Sequence, residues 1–214
     1  MNTKELILEE ALKQFSEKGF DGTSMSDIAK PLGITKAALY KHFESKQQIF
    51  DEIIAQSEEN YKDFFEKLTV HFPEHDEAEI NAEDVEYYGK ISAEGLSESV
   101  LTFVRFFMSD EYSRRVRRMF TISQFQSAEL GAMYTRRYID SMMGYDERIF
   151  KQLIKVGAIK KGDPKVLAAM FCGPVIMYMG IWDREPDRAK ECEKAIREHV
   201  EQFFLMTSNA ENIK

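Results

Sequence analysis

TSMSDIAKPLGITKAALYKHFESK, residues 23–46, contains three helix starts in close succession. Ser24-Met25-Ser26-Asp27 has the form of a capping box. It pairs a hydroxyl at the N-cap with an acid three positions on, each able to satisfy a free backbone N–H. A short helix is predicted from Met25 to about Leu32, broken by Gly33. Thr35 caps a second, from Lys36 to His42 or Phe43. Ser45-Lys46-Gln47-Gln48 starts a third, which runs through Ile49, Ile53 and Ile54 to about Leu68. Ile28, Leu32, Ile34, Leu39 and Phe43 fall on inward positions, and Ala29 is small where two helices must cross. This ordered set is the pattern of a helix-turn-helix, whose second helix can enter a DNA major groove.

Thr35, Lys36, Ala37 and Tyr40 project from the start of that second helix, and Lys41, His42 and Lys46 follow on adjoining surface. Hydroxyl and cationic donors beside a small residue permit close approach to phosphates and base edges. The competing interpretation is an ordinary solvated face, because residues 1–50 hold seven lysines and seven acids and are neutral as a whole. The acids concentrate on the first helix, however, and Lys30, Lys36, Lys41 and Lys46 have only Glu44 among them.

Around this stretch the apolar spacing is helical almost everywhere. Leu8, Ala11, Leu12 and Phe15 mark a first helix, with Asn2 and Glu5 as its capping pair, Gly19 as its left-handed end and Phe20 as the apolar closing contact. No run alternates with period two, and only 11 glycines and 5 prolines occur in 214 residues, which excludes a loop-rich β fold. The fold class expected is all-α. Cys172 and Cys192 cannot build a disulfide framework, and two thiols suit a reducing cytoplasm. The N-terminus mixes charged and apolar residues, so no signal peptide is expected. Nucleotide-binding glycine loops, zinc-protease, serine-hydrolase and paired Cys-x-x-Cys motifs are all absent, which argues against an enzyme, a metal and a cofactor.

Phe15, Gly19, Phe20, Thr23-Ser24-Met25, Ile28-Ala29, Leu32-Gly33-Ile34-Thr35-Lys36, Leu39-Tyr40-Lys41-His42-Phe43 and Ser45-Lys46 together resemble the TetR family of bacterial transcriptional regulators. The resemblance covers the first 50 residues; beyond them the chain matches in length and helical character. It implies nine or ten helices: a three-helix helix-turn-helix domain over 1–50 and a larger helical ligand-binding and dimerisation domain over 51–214. It also implies a homodimer reading a pseudo-palindromic operator in double-stranded DNA. Thr35, Lys36 and Ala37 lie where the family reads bases or nearby phosphates. Tyr40, His42 and Lys46 lie where it grips phosphate. Ser24 and Ser26 lie at a helix N-terminus that favours phosphate. Pro31 departs from the family pattern and should shorten the first of the two helices. Ala37 stands where many relatives have glycine.

Further along, Ala93 to Phe107, Asp110 to about Gln126 and Ala128 to Gly157 read as helices. Arg114, Arg115, Arg117 and Arg118 are expected to pair with acids such as Asp110 and Glu111. Phe107, Phe120, Phe125, Tyr134, Tyr138 and Met142 are candidate lining residues of an apolar effector pocket, although at helical spacing most such residues form core. No Lys or Arg occurs between Lys67 and Lys90, where seven acids make a solvated loop with some short helix the expectation, preferred over a metal site at His71 and His75.

Asp163-Pro164 starts a helix whose stretch Val166–Trp182 carries no charge; a helix buried on several sides is preferred there to a membrane span. In the last helix Ala189, Cys192, Ile196, His199, Phe203 and Met206 step by 3, 4, 3, 4, 3, a heptad seam. Met170, Pro174, Met177, Ile181, Cys192, Ile196, His199 and Phe203 are therefore candidate dimer-interface residues. Closure of the chain's own core by the same helices is the alternative. The function expected is a cytoplasmic, ligand-responsive repressor released by a small apolar or amphipathic effector. A helical carrier or enzyme with a structural N-terminal hairpin, or an adaptor using the seam, is the alternative.

Overall fold

The computed structural model describes residues 2–66 and 80–209. Among these residues the fold is all-α, with eleven α-helices and no strand. They are α1 (Thr3–Lys18), α2 (Met25–Ala29), α3 (Lys36–Leu39), α4 (Lys46–Glu66), α5 (Ala82–Lys90), α6 (Ala93–Ser109), α7 (Glu111–Ser123), α8 (Ala128–Thr135), α9 (Ser141–Lys155), α10 (Pro164–Arg184) and α11 (Ala189–Thr207). A π-helical segment, Arg136–Asp140, joins α8 to α9, and a 3₁₀ turn, Pro186–Arg188, precedes α11. His71, His75 and the acids from Glu74 to Glu79 lie outside the described residues. The acids at 83, 84 and 86 are in α5, capped by Asn81, whose side chain accepts from the Asp84 N–H at 2.7 Å.

The chain forms two compact units, Met1–Lys67 with Asp110–Thr135, and Leu68–Ser109 with Arg136–Lys214. In the first unit the caps read from sequence are present. Asn2 and Glu5 form a reciprocal capping box, as do Ser24 and Asp27. Thr35 Oγ1 accepts from the Ala38 N–H at 3.0 Å. α2 ends at Ala29, three residues before Leu32, and Pro31 follows its C-cap, Lys30. A proline cannot donate to the helical ladder, so the short helix follows directly.

Ile28, Leu39, Phe43, Ile49 and Ile53 are buried in this unit, while Leu32 and Ile34 are half-buried. α7 packs on α1, and the Tyr112 hydroxyl donates to the Ile53 carbonyl at 2.9 Å. Aromatic rings run in series from Phe15 to Phe20 (5.4 Å), Phe50 (5.1 Å) and Phe120 (5.9 Å), the last two contacts edge-on. That tilted geometry sets each ring's positive edge against its neighbour's negative face.

In the second unit α10 packs on α9 and α11, and α6 on α11. Buried residues include Leu101, Val104, Ile149, Phe150, Phe171, Val175, Ile196, Val200 and Phe203. Ion pairs stitch α6 to α11: Arg105 reaches Glu193 at 2.7 Å and Glu98 at 3.3 Å, and Arg197 also bonds Glu98. Hydrogen bonding from Arg197 holds the Glu98 carboxyl below its ordinary pKa. Pro174 lies inside α10, which runs unbroken through it.

Gly19 and Gly33 have φ values of 79° and 66°. At Gly19 ψ is 167°, so the backbone is in a region essentially confined to glycine rather than in the left-handed helical well expected. A Cβ on Gly33 would meet nothing within 4 Å, so only conformation forbids one there. Gly33→Ala should cost about 1 kcal/mol of unfolding free energy and Gly19→Ala about 3 kcal/mol. Urea denaturation of the two variants checks this; equal losses would show that backbone conformation does not set the order.

Candidate nucleic-acid interface

The two short helices are built so that apolar residues face down and donors face out. In α3 and the turn after it, Leu39 and Phe43 are buried, whereas Thr35, Lys36, Ala37, Tyr40, Lys41 and His42 are exposed. The Lys36 ammonium lies 5.8 Å from the Tyr40 ring centroid, a cation–π arrangement that orders both side chains on the same face. Tyr40, Lys41, His42 and Phe43 continue past α3 in helical turns, with His42 N–H donating to Leu39 O at 2.9 Å and Phe43 N–H to the same carbonyl at 3.1 Å. The surface thus offers two ammonium groups, a phenol, an imidazole and a methyl within eight residues.

Three of the predicted site residues do structural work. Ser24 is exposed, but its hydroxyl donates to Asp27 Oδ2 at 2.5 Å and accepts from the Asp27 N–H at 3.2 Å. That hydrogen bond holds the Asp27 carboxyl below the usual carboxylate range. Thr35 is exposed, and its oxygen caps α3. Lys46 is half-buried, and its ammonium is turned inward: it donates to Phe20 O at 2.6 Å and Thr23 O at 2.9 Å. Carbonyls thus take two of the three ammonium donors in this arrangement. Ser26 is exposed beside the α2 cap.

The candidate interface on α10 and α11 divides. Met170 and Met177 are 46% and 51% exposed, and Pro174 and Ile181 are half-buried. Cys192, Ile196 and Phe203 are buried in the second unit's own core, which corrects their placement in an intermolecular seam. Phe203 packs on Phe171 (5.0 Å) and Phe150 (5.6 Å). His199 Nε2 is 3.0 Å from Phe171 O. A 3–4 spacing marks a packed stripe, and here the stripe packs on α6 and α10 of the same chain. α10 in turn was expected to be buried on several sides. One face is buried, through Ala168, Phe171, Cys172, Val175 and Met179, while Val166, Met170 and Met177 form an exposed apolar stripe. This is the one described helix long and apolar enough to cross a membrane.

Of the candidate pocket residues, Phe120, Phe125 and Tyr134 belong to the first unit and Phe107, Tyr138 and Met142 to the second. Phe120 is committed to the core against Phe50, Phe107 is buried beside Phe103 and Phe106, and Phe125 is 91% exposed, too open to enclose a ligand. In the arginine cluster, Arg114 and Arg115 both pair with Glu111, as expected.

Asp146 is a functional candidate that only the structure reveals. This carboxyl is buried where α9 meets α10, and the Cys172 thiol donates to its Oδ2 at 2.8 Å. Burial drives its pKa from 3.8 up to about 7, with the thiol hydrogen bond opposing. Burial likewise pushes the Cys172 thiol and the Tyr88 and Tyr145 phenols up, and the Asp146 charge adds to each rise. One carboxyl in a helix of ordinary amphipathic spacing carries no sequence signal of its own.

Residues 7–53 match the family described as bacterial regulatory proteins, tetR family. Over 51 residues the chain is 49% identical to the biofilm operon icaADBC HTH-type negative transcriptional regulator IcaR of Staphylococcus aureus, an alignment covering 24% of this chain and 27% of that protein. Over 71 residues it is 39% identical to the HTH-type transcriptional regulator AcrR of Shigella flexneri, covering 33% of each. These alignments span about a quarter to a third of the length of the curated relatives. Among solved structures, a TetR family transcriptional regulator from Pseudomonas syringae is similar with TM-score 0.64 and 21% identity over 96% of this chain and 97% of that one. The SmeT–triclosan complex is similar with TM-score 0.65 and 19% identity over 99% and 94%. SmeT is the repressor of a Stenotrophomonas maltophilia multidrug efflux pump. At these identities the structural likeness establishes the fold.

Asp146 makes stability depend on pH. Its folded pKa lies above the unfolded value, so the native state holds the extra proton between 3.8 and about 7. Stability therefore falls as pH rises through that window, by up to about 4 kcal/mol. Asp146→Asn should be more stable than the parent above pH 7 and should lose this part of the slope. Urea denaturation of both proteins across the window is the check, and a difference that stays constant with pH would refute it.

Proposed function

We propose that this chain, whose residues 7–53 belong to the tetR family of bacterial regulatory proteins, is a DNA-binding transcriptional regulator. In this reading it is a cytoplasmic repressor that grips a pseudo-palindromic operator as a homodimer and is released by a small apolar or amphipathic effector. The exposed donor face of α3 carries the reading: Lys36, Tyr40, Lys41 and His42 stand out while Leu39 and Phe43 anchor the same turns from below. A helix four residues long, capped at Thr35, meets a groove with its N-terminal end, where Thr35, Lys36 and Ala37 lie closest to base edges. Tyr40, Lys41 and His42 then reach flanking phosphates, and Ser24 and Ser26 flank a second phosphate at α2.

Residues 1–50 supply the reading head, and residues 51–214 supply dimerisation and effector binding. The exposed stripe Val166, Met170 and Met177, with Pro174 and Ile181 beside it, suits a second copy of the same helix, because self-complementary apolar faces are what two-fold interfaces bury. Two heads related by such an axis would meet half-sites about 34–36 Å apart. An effector acts by binding one spacing of the heads better than the other and shifting the population toward it. That SmeT forms a complex with triclosan supports an apolar effector.

The experiment is selection of purified protein against random duplex DNA, read by sequencing. Enrichment of a pseudo-palindrome is expected, and failure to enrich any sequence, even after refolding to strip bound effector, would overturn the reading. On the selected operator, Lys41→Ala should lower the magnitude of the slope of log K against log salt by about 0.9 per protomer, about 1.8 for the dimer, with little change in base preference. Lys36→Ala should alter base preference instead. Thr35→Ser, which retains the α3 cap, should leave stability unchanged; Thr35→Ala should cost about 1 kcal/mol.

A further inference from the structure

Phe20 to Thr23 is the connection between α1 and Ser24, the N-cap of α2. Its carbonyls at both ends converge on one ammonium. Lys46 Nζ, from the first turn of α4, donates to Phe20 O at 2.6 Å and to Thr23 O at 2.9 Å, and it rests 4.2 Å from the centroid of the Phe20 ring. Thr23 is buried and its hydroxyl donates to Gly19 O at 2.9 Å, while the Phe20 N–H donates to Ser123 Oγ at 3.0 Å. Two of the three lysine donors are thus spent inside the protein, and the ring lies against the same cation. Burial lowers the lysine pKa, with Asp21 opposing. Lys41 on the same surface is, by contrast, exposed.

We propose that Lys46 is a positioning residue for DNA recognition, which locks the Gly19–Ser24 connection, and with it the N-cap of α2, onto the start of α4. It acts on DNA through that connection rather than as a phosphate contact. The proposal rests on the DNA-binding reading above. Its consequence is that α2 follows the first turn of α4, so any displacement of that turn reaches the reading head through one side chain.

Lys46→Met keeps the aliphatic stem over Phe20 and removes every donor. Its affinity for the selected operator should fall about tenfold, while the slope of log K against log salt stays that of the parent. Amide hydrogen exchange over residues 19–27 should accelerate. Lys46→Arg, which restores a cation able to reach the same carbonyls, should recover most of the loss in both readouts. A salt slope smaller by about 0.9 per protomer, about 1.8 for the dimer, in Lys46→Met would overturn the proposal in favour of a phosphate contact. Unchanged affinity or unchanged exchange would overturn it as well. Should Lys46→Met lose its helical circular dichroism, Phe20→Leu removes the ring beneath the ammonium and leaves the charge, and weaker binding at an unchanged slope is again expected. If the parent selects no DNA, the functional reading fails, and the exchange of residues 19–27 still decides whether the lysine holds the connection.

Discussion

The reading head depends on a floor of packed rings. α2 has five residues and α3 four, and helices that short do not persist on their own propensity. They are held because Ile28, Ala29, Leu39 and Phe43 are buried against a framework organised by Phe15, Phe20, Phe50 and Phe120. The last ring belongs to α7, more than sixty residues beyond α4's start. The first fifty residues therefore carry the recognition surface but not all of the core beneath it. Removing α7 would take Phe120 away and leave Phe50 without that ring contact.

Local signals were the legible part of the chain. Capping at Asn2, Ser24 and Thr35, the turn at Gly33 and the shortening at Pro31 each depend on residues within a few positions, and each stands in the structure where the sequence puts it. What the sequence could not supply was the identity of distant partners. Phe120 reads equally well as pocket lining or as core until Phe50 is beside it. Cys192, Ile196 and Phe203 make the same 3–4 stripe whether a neighbouring helix of the chain or a second copy covers them. Lys46 looks like any cation near a recognition helix until the carbonyls of Phe20 and Thr23 are in reach. The acidic stretch was open to some short helix, and α5 is one, with Asn81 as its cap, although composition does not set its bounds.

Electrostatics divides the same way. A net charge of −8 would argue against a polyanionic partner if it were spread evenly. Instead the exposed face of α3 is free of carboxylates, Glu5 of α1 is taken up in the Asn2 capping box, and Lys4 of α1 pairs with Glu52 of α4 at 2.7 Å. Placement over a few residues thus outweighs the sum over the chain. In the second unit the exposed ion pairs between α6 and α11 form a connected set rather than isolated contacts, the one arrangement in which such pairs contribute appreciably. Asp146 is the opposite case, a single acid kept in the core with only a thiol to compensate it.

The separation of inward and outward residues on α3 bears on how such a protein can change over generations. Lys36, Ala37, Tyr40, Lys41 and His42 pack little against the framework, so replacing them leaves the scaffold's stability almost untouched. A duplicated copy of the gene could drift to a new target sequence through these positions alone, without first losing its fold. Thr35 is the exception: it is exposed but its oxygen holds the helix, so selection there is confined to residues that still cap. Divergence of binding preference should therefore run ahead at four or five positions and stall at one.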